Sequence, residues 1–303
     1  MASPAANRPS LRGGCGVVLR ALALAAVLVA GLVPAAAAFD SIPNGPHDRV
    51  TADAAHAAAY PSKGVLSLQQ AVRGPDIRDN KLDPKATKVT NFEVTGEYRP
   101  YHHCDRVPPA GGEESFLRTV DYARQQGEGA RTALAASNAT GAVHLLGNAL
   151  HAIEDCFSHS NAVDLADPAV VVRAVNGEGG FPQDLHLTGF LPGAQDNEHP
   201  PGDDYPHGDF AKDSANKNTE SSTRMADDRT KFEHARDLAT QAATLYLQHW
   251  MEDVTPAEAQ QLANVPPAKE GGGLPSIHVP ASGAIVALGG LWLAAAAVTA
   301  RRR

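Results

Sequence analysis

The chain has 303 residues, with 26 Lys and Arg against 34 Asp and Glu, a formal net charge of −8. Arg8, Arg12 and Arg20 are the only charged side chains in 1–38, and Arg301, Arg302 and Arg303 the only ones in 281–303; without these six, 20 basic side chains face 34 acidic ones, a net −14, and this middle stretch holds all 13 His. So acidic a body argues against a general binder of nucleic acid or anionic membrane, both of which reward a basic face, and suits a soluble domain that concentrates cations.

Residues 1–38 read as a secretory signal: three Arg, a 13-residue apolar core from Ala21 to Val33, and Ala36-Ala37-Ala38 as a small-residue cleavage site before Phe39. The core is too short to span a bilayer. In the exported body, expected over 39–262, Asp53 to Tyr60 and Leu66 to Val72 are short helical candidates. Residues 73–112, rich in Gly, Pro, Asp and Asn, read as a long loop region. Helical spacing returns from Glu113 to Ala136, is clearest from Ala142 to about Val163, and lapses into loop over 166–222. Arg224 to Val254 reads as a long amphipathic helix. A Pro/Gly-rich linker follows at 263–280, then Ala281 to Ala300, 20 residues without charge. That length suffices for a transmembrane helix, and 301–303 would be its cytoplasmic Arg tail. The same tail pattern resembles a bacterial cell-wall sorting signal. The expected class is all-α: a multi-helix domain with long loops, exported and held at the outer face of the membrane or wall. Cys15 falls in the signal; Cys104 and Cys156 remain, either one disulfide in an oxidising compartment or two separate buried thiols.

The chemistry concentrates in His144-Leu-Leu-Gly-Asn148-Ala-Leu-His151-Ala-Ile-Glu154-Asp155-Cys-Phe-Ser-His159-Ser-Asn161. At about 100° per residue, His144, Asn148, His151, Asp155 and His159 fall in one stripe, opposite Leu146, Leu150, Ile153 and Phe157. An ordinary solvent face carries Lys, Glu, Arg and Gln, whereas this stripe holds three His, an Asp and an Asn. Imidazole and carboxylate are the ligands of open zinc sites, so the stripe is expected to bind metal. Asn148, Glu154 and Asn161 are expected to hydrogen-bond the ligands or cap the helix. The same residue types recur at His47-Asp48, Asp76 with Asp79, His102-His103-Cys104-Asp105, and His207 with Asp209 and Asp213.

The sequence here resembles the zinc-dependent phospholipase C superfamily, which includes single-strand-specific zinc nucleases, and within it the branch of heterokaryon-incompatibility C proteins. The likeness rests on His151-x3-Asp155-x3-His159-Ser160-Asn161, His47 with Val50-Thr51, His103-Cys-Asp105, and Tyr-Pro-His207 before Lys212-Asp213. It implies an all-α domain holding two or three zinc ions. His47, His103, His151, Asp155 and His159 would be ligands, His207 a further one, and His144 a candidate from its place on the stripe. Asp76 or Asp79 would bridge metals or act as general base, and the Phe39 amine would be a ligand. The activity implied is hydrolysis of a phosphodiester, in a phospholipid before nucleic acid, by zinc-activated water. The family's distal His-x3-Glu has no counterpart, because Ala211 stands four residues after His207. That gap suits the alternative of a non-catalytic, zinc-stabilised surface protein. With His103 and Asp155 on one cluster, Cys104 and Cys156 beside them are expected to form a disulfide.

Overall fold

The computed structural model describes residues 43–79, 99–106, 110–189, 205–215 and 218–268. The proposed signal, Phe39 and the apolar tail at 281–303 lie outside the described residues. Within them the protein is helical, with isolated backbone bridges and no β-strand, in line with the all-α expectation. No helix among the described residues is long and apolar enough to cross a membrane.

Among the described residues ten α-helices follow one another: α1 (Pro46–Ala57), α2 (Val65–Val72), α3 (Gly74–Asp79), α4 (Gly112–Ala135), α5 (Ala139–Ser158), α6 (Ala169–Val175), α7 (His207–Phe210), α8 (Thr219–Ser222), α9 (Lys231–Met251) and α10 (Pro256–Ala263). The centre is α5. Asn138 starts it, its side chain accepting from Gly141 N at 3.0 Å and so satisfying one of the free amides of the first turn. From Leu146 to Ser158 every residue of α5 is buried, the His/Asp stripe as well as the apolar face, so the stripe is an interior surface.

Helices α2, α4 and α9 pack round α5, and α9 also packs on α1. Gly147 permits the closest of these approaches: a methyl there would lie 2.5 Å from Ala71 Cβ on α2. Where α4 meets α9, Trp250 Nε1 donates to Gly127 O at 3.0 Å and Tyr246 Oη to Ala123 O at 2.8 Å. Two otherwise costly buried polar tips are thereby matched.

Several boundaries differ from the sequence reading. The 73–112 stretch contains α3, and α1 starts at Pro46, ahead of the expected Asp53. Helix α9 starts at Lys231 because Arg224–Thr230 closes into a turn, Met225 N donating to Arg229 O at 2.8 Å. Thr230 and Glu233 then form a reciprocal capping box. Helix α10 lies across the expected end of the domain at 262. Leu262 and Val265 are buried, and Ser67 Oγ donates to Val265 O at 2.7 Å. The packed body thus continues into the stretch read as linker, as far as a hydrogen bond between Ala268 N and Gln70 Oε1.

Candidate metal centre

Two groups of buried imidazoles and carboxylates meet along α5. The first draws on four segments: His47 from α1, Asp76 from α3, His103 from the turn after a 3-10 segment at Pro100–His102, and His151 with Asp155 from α5. Asp155 is at its middle. Its Oδ2 lies 3.1 Å from His151 Nε2 and 3.2 Å from His103 Nδ1, and its Oδ1 lies 3.2 Å from His47 Nε2. Asp76 Oδ1 faces the same nitrogens from the other side, 3.4 Å from His103 Nδ1 and 3.7 Å from His151 Nε2. The rings of His47 and His151 stack with centroids 4.3 Å apart.

The second group is reached four residues further along the chain, where α5 ends and His159 takes up a non-helical backbone. His159 Nε2 lies 3.0 Å from Asp213 Oδ1 and 3.2 Å from His207 Nε2. Asp105 Oδ2 lies 3.3 Å from His159 Nδ1 and 3.9 Å from His207 Nε2.

Groups behind the imidazoles fix their orientation. His47 Nδ1 pairs with Glu154 Oε2 at 2.6 Å, and Thr51 Oγ1 donates to Glu154 Oε1 at 2.8 Å. With Nδ1 held by Glu154, the Nε2 of His47 is directed at Asp155 Oδ1. His159 Nδ1 donates to the backbone oxygen of His103 at 2.7 Å, which leaves its Nε2 for His207 and Asp213. Thr188 Oγ1 donates to Asp105, and Ser158 Oγ donates to Asp213 Oδ1 at 2.6 Å.

The electrostatics show how charge is balanced in the cluster. Burial pushes the His47 pKa down, but Asp155 and Glu154 outweigh it and hold that pKa well above the ordinary imidazole value. Burial is likewise overcome at His159, by Asp105, Asp155 and Asp213. Asp155 is pushed up by burial yet held well below the usual carboxylate range by His151, His159 and His47. His151 moves the opposite way to His47, lowered by burial with help from His47. The buried carboxylates therefore favour positive charge beside them, whether carried by imidazolium or by a cation. Three sets of ligand atoms (His47, Asp76, His151; His103, His151, Asp155; Asp105, His159, His207) each lie within 4.8 Å of one another, and such buried groups could hold a metal ion.

A short backbone clasp assembles the second group. Thr188 N donates to His159 O (2.8 Å), Arg106 N to Thr188 O (3.0 Å), and His207 N to Gly189 O (3.1 Å). Residues 187–189 thus tie the segments carrying His159, Asp105 and His207 together without forming a named strand. Cys104, joined to Cys156 by a disulfide, fastens His103 and Asp105 to the helix that carries Asp155.

Not every expected residue arrives here. His144 belongs to none of the three sets; two turns before His151, it lies near Gly74 and Asn148. Asn148 donates to Gln126 Oε1 (3.1 Å). Asn161 binds the loop before the clasp, donating to Asp184 O (3.0 Å) and accepting from His186 N (2.8 Å). Asp79 is the last residue of α3, and its side chain lies outside the described part of the structure. The sequence reading placed Asp105 and Asp213 only within motifs. Asp213 lies six residues beyond His207, at no helical interval, and reaches His159 because Lys212 N donates to Ser158 O at 2.9 Å.

Comparison with models of known protein families, with curated proteins and with solved structures finds no match for this chain.

Proposed function

We propose that the protein is an exported metal-dependent phosphodiesterase, held outside the cell membrane or in the wall by its apolar C-terminal segment. Its centre would hold two or three zinc ions, and its substrate would be a phospholipid or a related phosphodiester. The observation that carries this reading is the pair of His/carboxylate groups one turn apart on α5, drawing ligand atoms from α1, α3, the Cys104 turn and α7. A single structural metal needs only four ligands. The resemblance to zinc-dependent phospholipases C, resting on His47, His103, His151, Asp155, His159 and His207, supports the same conclusion.

Nitrogen and carboxylate donors of this kind suit zinc. His47, Asp76, His103, His151 and Asp155 would hold the metal of the first group, and Asp105, His159, His207 and Asp213 that of the second. Bound zinc supplies Lewis acidity and brings a water toward ionisation near neutral pH. Glu154 and the His103 carbonyl keep the protons of His47 and His159 on Nδ1. Asp76, whose Oδ1 is farther from its imidazole neighbours than Asp155 Oδ2, would either bind the metal or act as general base toward an attacking water.

The test is metal analysis of purified protein together with hydrolysis of bis(p-nitrophenyl) phosphate. Turnover should vanish with a chelator and return with zinc. A metal-loaded protein inert toward this ester, phospholipid vesicles and single-stranded DNA would sink the proposal. One observation favours a second reading, a zinc-stabilised binding protein: every residue of the two groups is at most 2% exposed, as befits a closed structural site. Chelation that unfolds a protein without turnover would establish that alternative.

A further inference from the structure

The chain leaves the packed body through a latch on α2 that the metal chemistry does not use. Gln70 grips the backbone of Ala268 with both ends of its amide: Nε2 donates to Ala268 O at 3.2 Å, and Oε1 accepts from Ala268 N at 2.5 Å. Ser67 Oγ donates to Val265 O at 2.7 Å, and a methyl on Gly64 would come within 2.7 Å of Leu262 O. The end of α10 and the stretch after it therefore lie along α2. The surface here differs from the rest of an acidic body. From Ala54 to Pro75 there is no Asp or Glu, and 259–268 carries no charge. Lys63 is exposed close to Leu66, which at 52% is the more exposed of two large hydrophobic side chains that reach solvent among the described residues. Arg73, the other cation of that stretch, lies 3.2 Å from Asp48.

We propose that this face, made by α2 and the chain from Leu262 to Ala268, rests on a phospholipid bilayer into which the apolar stretch 281–300 inserts. The proposal rests on the membrane-anchored form of the function above and adds which side of the domain meets lipid. Length decides the orientation. Between the latch and the apolar stretch lie the 12 residues 269–280, at most about 40 Å when fully extended. A domain of this size is about 45 Å across, so turning its opposite face to the bilayer would take a tether of about 70 Å, half-way round the body. Without the latch the tether would start after Ala263, and its 17 residues would reach about 60 Å. Charge acts in the same sense. Anionic headgroups repel carboxylates, which this stretch lacks, while Lys63 attracts them and Leu66 can enter the headgroup layer. Helix α2 also runs through Arg73 into α3, which carries Asp76. The segment resting on lipid thus continues into one that supplies a ligand of the first group, and the nearest phosphodiesters are those of the bilayer that holds the protein.

The full chain in a Cys15→Ser background, reconstituted in vesicles of phosphatidylcholine and phosphatidylglycerol, tests this by energy transfer to a headgroup-labelled lipid. One sample carries a dye at Ser62→Cys, exposed beside Lys63. A second carries it at Arg224→Cys, whose native side chain is 63% exposed in the turn before the 21-residue α9, about 30 Å from the end of that helix that leads to α10. Transfer from position 62 should exceed transfer from position 224 at least about twofold, given a body about 45 Å across. Ser67→Ala with Gln70→Ala opens the latch, and a flexible Gly/Ser insert of about 20 residues between Ala268 and Ala281 lengthens the tether without touching the domain. Each should lower the ratio, the insert to nearly one. Equal transfer from the two positions in the unaltered chain, stronger transfer from position 224, or a ratio that either change leaves intact would overturn the proposal. Flotation with the vesicles reads the anchor separately: a chain that floats without the bias loses this face and keeps its anchor, and one that does not float loses both. Hydrolysis of a soluble diester is a third readout, so a failure of the phosphodiesterase chemistry shows itself alone.

Discussion

Asp155 Oδ2 stands 3.1 Å from His151 Nε2, one turn back on the same helix, and both side chains are fully buried. An ionised carboxylate taken that far from water needs positive charge near it. His47, His103 and His151 surround Asp155, and each has a ring nitrogen close to it. Asp155→Asn keeps the shape and removes the charge. Elemental analysis should show at least one bound metal fewer. The chelator-induced fall in melting temperature expected of wild type should shrink or vanish, because a ligand bound only to the folded state stabilises by about 4 kcal/mol at a thousand times its Kd. Full metal content in the variant would show that Asp155 is not a ligand.

Asp213 tests the second group independently. Its Oδ1 meets His159 Nε2 at 3.0 Å and accepts from Ser158 Oγ at 2.6 Å. Asp213→Asn should release one metal and leave that of the first group, so the two Asn variants should each fall short of wild type and their double variant short of both. Complete metal loss from Asp213→Asn alone would mean that the two groups act as one cooperative site.

The main features of this arrangement were legible in the sequence because a helix converts spacing into direction. His151, Asp155 and His159 at four-residue intervals point one way, and types so unlike a solvent face marked the stripe as a candidate metal site; that it is interior is seen only in the packed structure. The same rule brought in His144, since periodicity gives a bearing and not a position along the axis. Asp213 could be named as a ligand type but not placed, for the opposite reason: it comes to His159 through loop backbone, where Lys212 N donates to Ser158 O and no period applies. Helix α10 could have been found, since Thr255-Pro-Ala-Glu258 has the residues of a capping box with Pro at the first helical position.

The disulfide should matter to metal as well as to stability. Cys104 and Cys156 are separated by 52 residues in sequence, a loop whose closure in the unfolded chain is worth about 4 kcal/mol on chain-entropy grounds. Replacing both by Ala should lower the free energy of unfolding by that order, measured in guanidinium. Because His103 and Asp105 flank Cys104, and Asp155 precedes Cys156, metal affinity should fall in the same variant. A double variant that loses stability but binds metal as wild type does would show that helix packing alone holds those three residues.

Lys212 gives the clearest pH signature. It is fully buried, its Nζ donating to Ser160 O and to Phe210 O, and burial lowers its pKa to about 8 from 10.5, against the opposing pull of Glu220 and Asp164. Between those values the unfolded chain carries a proton that the folded chain has released, so for this group stability rises with pH. The penalty for burying the charge is complete below about pH 8 and gone above 10.5. Lys212→Met lacks the titration but leaves both carbonyls without their donor. Its stability relative to wild type should therefore fall, on the order of 3 kcal/mol, from pH 8 to 10.5, by the linkage relation of about 1.4 kcal/mol per unit. Urea unfolding of both proteins across that range reads the difference directly, since groups common to the two cancel. Parallel stability curves would show that Lys212 keeps the same protonation in the folded and unfolded chain.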